Sequence, residues 1–202
     1  MIYLYGASGH AKVVIEIAEQ NGHTIGGLID ANPAITALLG YTVSAQLPKD
    51  DYASNVFLIS IGNNRIRKQI AQEMASVHFE MLAHRQAAIS QRATIDEGTV
   101  IMAGVSVNSE VSIGRHCIIN TNASIDHDCS IADFVHISPN AALAGNVTIG
   151  EGTHIGIGAC VIQGIKIGKW CTIGAGAVII RDVPDGATVV GNPGRIIKQK
   201  SE

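Results

Sequence analysis

The strongest chemical signal in the chain is the triplet Asp126-His127-Asp128. A carboxylate bonded to one imidazole nitrogen fixes the tautomer and raises the basicity of the other, which suits a general base near neutral pH. Taken alone, the triplet equally describes a solvated turn histidine. A second group lies at the front of the chain: Gly6-Ala7-Ser8-Gly9-His10, then Asp30, then Gly62-Asn63-Asn64. Glycines let a backbone approach a phosphate, and amides at a helix start favour an anion. A carboxylate at a strand end is placed to accept hydrogen bonds from a hydroxylated ring. The spacing is G-x-x-G-H rather than G-x-G-x-x-G, which disfavours a dinucleotide. A tight structural turn is the plainer reading of the glycines; all three features falling at strand ends favours a nucleotide. His136 and His154 are 18 residues apart with no third ligand in register, so surface or subunit-contact residues are expected rather than a metal site. No exposed serine or cysteine has a base at a useful spacing, so covalent catalysis is not supported.

The elements that must hold these groups follow from the repeats. From Ile89, steps of six reach Ile95, Ile101, Val107 and onward to Ile179, and all sixteen positions are Ile, Val or Leu. At 47% hydrophobic residues, apolar occupancy of sixteen preset positions has a chance probability on the order of 10⁻⁵. A second register two residues earlier, from Ala87 to Ala177, holds only small or β-branched residues, including Cys117, Cys129 and Cys171. Two inward residues two apart define one short strand. Hexapeptide periodicity of this kind predicts a parallel β-helix with three strands per coil and residues 18 apart stacked. His127 then falls in a turn at a corner of the triangle. His136 and His154 face outward on one face, and the three inward cysteines are space-fillers. Cys160 is expected to face outward.

Residues 1 to 84 lack this repeat. Met1–Tyr5, Gly26–Ile29 and Val56–Ile61 read as strands, with helices over Ala11–Asn21 and Arg65–Ala75. Strand, glycine turn, helix, strand, acidic residue is half of a Rossmann-like unit. The fold expected is an α/β Rossmann-like subdomain at 1–84 followed by a β-helix and tail at 85–202. Aromatics are only 4% of residues, which suits a narrow, repeated interior. Fourteen Lys+Arg against 17 Asp+Glu leave no basic block for nucleic acid. No apolar run approaches a membrane span, and the first ten residues do not form a signal peptide, so a cytoplasmic protein is expected.

With these motifs in place, the whole chain resembles the bacterial hexapeptide-repeat sugar acetyltransferases of the NeuD/PglD type. The matching stretches are YGASGH at the start, IGNNR at 61–65, DHDC at 126–129, FVHIS at 134–138, AGNVTIG at 144–150 and VVGNPGR at 189–195. The resemblance implies a left-handed parallel β-helix, a homotrimer, and acetyl-CoA as cosubstrate in a groove between neighbouring solenoids, without a metal. It implies that Ser8, Gly9, His10, Asp30, Ala31 and Gly62 contact a nucleotide sugar. His127 would be the general base and Asp128 would raise its basicity. His136, Ile157, Ala175 and the amide of Gly145 would meet acetyl-CoA. The activity implied is N-acetylation of a nucleotide-linked 4-amino-4,6-dideoxy sugar, with UDP as the nucleotide. O-acetylation of sialic acid or another sugar hydroxyl is the near alternative, and a non-catalytic nucleotide-sugar-binding solenoid the distant one. In the tail, Gly194 replaces the family's usual alanine and is expected to loosen that loop.

Overall fold

Two hydrophobic periodicities build two cores. In the computed structural model, which describes residues 1–46 and 55–199, the chain opens with β1 (Ile2–Tyr5), α1 (Gly9–Gln20) and β2 (Ile25–Ile29). A hairpin of β3 (Ala37–Leu38) and β4 (Tyr41–Ser44) follows, then β5 (Val56–Ile59), α2 (Asn64–Glu73) and β6 (His78–Phe79). The sheet order is β3-β4-β2-β1-β5-β6. Strands β1, β2 and β5 are parallel neighbours, so the loops carrying Ser8, Asp30 and Gly62 emerge at one sheet edge. The α1 stripe Ala11, Val14, Ile15, Ala18 is spaced i, i+3, i+4, i+7 and is fully buried. No periodicity marks the β3–β4 hairpin, whose strands are too short to show one; Leu39 and Gly40 both turn it at positive φ.

From β7 (Leu82–Ala83) to Val178–Ile179 every strand pairs in parallel with one a coil away. Ser106 pairs with Ser124, and His136 with His154, which is the 18-residue stacking expected. The division expected at 84/85 falls just after β7, which already pairs with Val100–Ile101. Large inward residues from Ile101 to Ile179 are all buried, and only Ile89 and Ile95 in the first coil are half-buried. The inward thiols of Cys117, Cys129 and Cys171 donate to the carbonyls of Ala132, Ala144 and Pro184 at 3.1–3.2 Å. Burial pushes the Cys117 thiol up to about 12, so it remains a protonated filler. The last coil is shorter, Thr172 pairing with Thr188, and an antiparallel strand Arg195–Gln199 ends the sheet. Gly194 is not loosely held: a methyl there would come within 2.9 Å of Ile179 Cδ1.

The corners share one conformation. Every sixth residue from Gly98 to Gly176 has positive φ, and eight of these are not glycine, among them Glu110, His116, Asp128, Phe134 and Trp170. They form three columns. The column with His116, Phe134 and Trp170 receives the α/β domain. There α2 buries Arg67 completely, and its guanidinium donates to the carbonyls of Ile61 (2.9 Å), His116 (2.7 Å) and Phe134 (3.0 Å) and to Asn64 Oδ1 (2.8 Å). The Arg65 guanidinium lies 4.4 Å over the Trp170 ring, and Lys68 pairs with Glu151. On the other side, α1 packs on the outward residues Leu82, Val100 and Ile118 of the first coils. His116 is buried between Phe134 (5.2 Å, stacked) and Phe79 (4.6 Å, edge-on), and its pKa is lowered to about 4, by burial first.

An L-residue in the left-handed region costs about 1–2 kcal/mol, and glycine relieves it. Exposed Glu110 at φ 61° is such a site. Glu110→Gly is expected to raise stability by up to about 1 kcal/mol, whereas Gly152→Ala should lower it, because its methyl would sit 2.3 Å from the Trp170 ring. Chemical denaturation of both variants checks the pair.

Candidate active site

His127 sits on the corner column of Glu110, Asp128 and Asn146, with its ring in solvent. Asp128 turns back at φ 62° so that Oδ2 lies 2.6 Å from His127 Nδ1. Asp126 acts on the backbone instead: its Oδ1 accepts from the His127 amide at 2.8 Å and from Asn108 Nδ2 at 2.7 Å. The His127 pKa is raised, by the Asp128 hydrogen bond first and the Asp126 charge second. With Nδ1 engaged by Asp128, Nε2 is the ring nitrogen left without a hydrogen bond among the described residues. A shallow groove of about 510 Å³ runs beside it, lined by Ser106, Asn108, Ser109 and Asp126 among others.

Gly145 lies one coil below His127. A β-carbon on residue 145 would meet the imidazole at 2.6 Å (Cε1) and 2.7 Å (Nε2), so the ring occupies space that only glycine leaves open. The Gly145 amide makes no backbone hydrogen bond among the described residues, although its carbonyl accepts from Gly164. The 18-residue step from 127 to 145 is visible in the sequence, but its steric meaning appears only once the coils stack.

The front-domain residues lie where β1, β2 and β5 end, with His10 and Gly62 beside the solenoid's His136. Ser8 is the N-cap of α1 without a side-chain cap bond, and Gly9 begins the helix. Asp30 braces both turns: Oδ2 accepts from the Ala7 amide and Oδ1 from Asn32, each at 2.9 Å. Ala31 is exposed beside it, and Gly62 leads into α2, whose N-cap Asn63 accepts from the Arg65 and Ile66 amides. His10 is half-buried, its Nε2 has no hydrogen-bond partner, and its pKa is lowered to about 4 by burial and then by Arg67.

His136 joins this group from the solenoid. Its ring stacks on His154 with centroids 4.7 Å apart and planes within 6°. His136 Nε2 lies 3.1 Å from Asn120 Nδ2, and His154 Nε2 lies 2.7 Å from Ser138 Oγ. Burial, then the His154, Arg67 and His10 charges, hold His136 down at about 3, while the Gly62 backbone favours its charged form. It is therefore neutral at physiological pH. A cleft of about 590 Å³ opens beside Gly62, Asn64, His154, Lys169 and Trp170. Ile157 and Ala175 stand on another corner, exposed and stacked, with the Gly176 amide bonded to the Ile157 carbonyl at 2.8 Å.

One chain thus brings His10, Gly62 and His136 together at the joint, and His127, Asp128 and Gly145 together on a separate corner. Sequence reasoning missed Arg67 and His116, whose roles depend on the docking of two domains. Among the described residues, no group of three or more His, Cys, Asp or Glu is disposed to hold a metal ion. No helix among them is long and apolar enough to cross a membrane.

Known proteins share this architecture. Residues 1–74 match the PglD N-terminal domain, and residues 146–181 match the bacterial transferase hexapeptide (six repeats). Perosamine N-acetyltransferase from Caulobacter crescentus, solved as a mutant with CoA and GDP-perosamine, is 35% identical with a TM-score of 0.93, covering 98% of this chain and 97% of that one. The acetyltransferase domain of PglB from Neisseria gonorrhoeae FA1090, solved with acetyl coenzyme A, is 39% identical with a TM-score of 0.88, covering 97% and 98%. Among curated relatives, UDP-N-acetylbacillosamine N-acetyltransferase of Bacillus subtilis (strain 168) is 49% identical over 50 residues, 24% of this chain. An uncharacterized protein of Acanthamoeba polyphaga mimivirus is 32% identical over 114 residues, 56% of this chain. The chain spans 23% of the length of each of these two curated relatives. An α/β front domain on a parallel hexapeptide β-helix, matched end to end by such structures, places this chain in the family of NeuD/PglD-type hexapeptide-repeat sugar acetyltransferases.

Proposed function

We propose that the protein is an acetyl-CoA-dependent N-acetyltransferase acting on the amino group of a nucleotide-linked 4-amino-4,6-dideoxy sugar, with His127 as general base. The observation that carries this reading is the 2.6 Å contact of His127 Nδ1 with Asp128, above a glycine floor that keeps the ring in place. Nε2 takes the proton of the acceptor amine as nitrogen bonds to the thioester carbon. Backbone donors, with the free Gly145 amide as the nearest candidate, stabilise the oxyanion; the C–S bond then breaks, the imidazolium returns its proton to the sulfur and coenzyme A leaves as its thiol. Ser8, Gly9, His10, Asp30, Ala31 and Gly62 hold the nucleotide sugar. His136, Ile157 and Ala175 hold acetyl-CoA.

These groups occupy different corners of one prism, so a second chain must bring His127 to the joint that holds the acceptor. A homotrimer with sites between subunits meets that requirement and is part of the proposal, as is action in the cytoplasm. UDP sugars are the first acceptors to assay. The match to a structure solved with GDP-perosamine makes GDP sugars the second arm, and sialic acid tests the O-acetylation alternative.

Thiol release from acetyl-CoA with UDP-, dTDP- and GDP-linked amino sugars tests the activity, and turnover of none of them would overturn it. His127→Ala should lower kcat by about 10²–10⁴-fold while calorimetry still registers acetyl-CoA binding. Turnover at the wild-type rate removes His127 from the mechanism.

The base must be neutral to act, and its pKa is raised. Activity should therefore climb with pH through a midpoint above the ordinary histidine value. Asp128→Asn removes the largest cause of that rise, so the acid limb of the kcat profile should move to lower pH. A limb that does not move refutes the pairing.

Gly145→Ala should keep the fold but displace the imidazole, lowering kcat by about 10²-fold. Equal kcat in wild type and variant would show that the ring does not need its floor.

A further inference from the structure

Arg67 is buried completely, yet all four of its hydrogen bonds go to neutral oxygens. Its pKa is lowered to about 10 by burial, which leaves it charged at neutral pH. Fastening two domains does not require this, since apolar side chains of similar volume fasten as well or better than buried charge. What distinguishes the guanidinium is a rigid planar fork whose donors fit one arrangement of acceptors.

The positions of those acceptors carry the argument. Ile61 immediately precedes Gly62, and Asn64 follows it by two, so the fork grips the nucleotide-sugar loop on both sides of its contact residue. Phe134 stands two residues before His136, and its carbonyl accepts from the same Nη2 that bonds Asn64. The His116 carbonyl, one coil earlier on that corner, takes Nε. Asn64 extends the grip, with Nδ2 donating to the carbonyls of Gly152 at 3.0 Å and Thr153 at 3.3 Å, just ahead of His154. An apolar contact can slide by an ångström at little cost. This fork cannot.

We propose that Arg67 is a positioning residue that sets the register between the loop holding the nucleotide sugar and the solenoid strand that meets acetyl-CoA. The proposal rests on the function proposed above. A register device acts when both substrates are present: it aligns the amine with the thioester and leaves each binary affinity nearly untouched. A misplacement of about 1 Å between reacting groups can cost about 10²-fold in rate.

The test uses the full chain. Arg67→Lys keeps a charge and loses the fork, and Asn64→Ala cuts the same link from its other end. Thermal melts report folding, calorimetry reports the separate affinities for nucleotide sugar and acetyl-CoA, and steady-state assays report kcat. Expected are a fall in kcat of about 10²-fold for Arg67→Lys and about tenfold for Asn64→Ala, with each binary affinity within about threefold of wild type. The double variant should lose less than the product of the two, because both residues act through one link. A folded Arg67→Lys with kcat within threefold of wild type overturns the proposal. So does a loss confined to the affinity for one substrate. Should the Arg67 variant not fold, Asn64→Ala decides, and an unchanged kcat there overturns it. Wild-type protein that acetylates no nucleotide-linked amino sugar sinks the underlying reading of function instead, and shows it before any variant is compared.

Discussion

A two-residue strand has almost no stability of its own, so the solenoid depends on every corner turning its chain through the same angle. That turn needs one residue in the left-handed region, and the chain supplies it at every sixth position from Gly98 to Gly176. Where the residue is glycine or asparagine the conformation is cheap. Where it is His116, Phe134 or Trp170 the cost is offset by what the large side chain does. All three lie on the column that meets the α/β domain, as stacking partner or platform for α2. Asp128 is the fourth case, and its backbone turn is what returns its carboxylate to the preceding imidazole.

Geometry at the corners therefore divides the labour. One column fastens the front domain, one carries His127, and one presents Ile157 and Ala175. The interior has no part in this beyond holding the coils at a constant height. Its fillers are aliphatic, or are thiols and threonines whose polar atoms are satisfied locally: Thr99 and Thr153 each donate to a carbonyl and accept a backbone amide. At the joint the polarity is of another kind. His10 and His136 keep neutral rings with buried nitrogens that have no hydrogen-bond partner, next to a cation that stays charged.

Legibility in the sequence followed the range of the interactions. The coils could be read because each inward side chain is dictated by a neighbour at a fixed offset, and a fixed offset survives as a period. Asp128 could be read because it adjoins His127. The outward placement of Cys160 and the stacking of His136 on His154 followed from the same arithmetic. Arg67 could not be read, since its acceptors come from residues 61, 64, 116 and 134, and nothing local marks a helix arginine as buried. The β3–β4 hairpin was invisible for the opposite reason: elements of two and four residues are too short to declare a period. Gly145 stands between these cases, its residue number computable from His127 while the need for a missing methyl is not.

The eighteen-residue coil also limits how this architecture can change length. Adding or deleting six residues between Phe134 and Asn146 would keep the strands regular and the interior apolar. An insertion would, however, rotate everything downstream by one vertex, so that the bare floor would leave the imidazole for the column of Phe134 and the perch of Ile157 would arrive at the corner of His127. Only a whole coil can be gained or lost without that rotation, and even then the stretch from His116 to Trp170 is closed to it, because α2 spans that distance with a helix of its own fixed pitch.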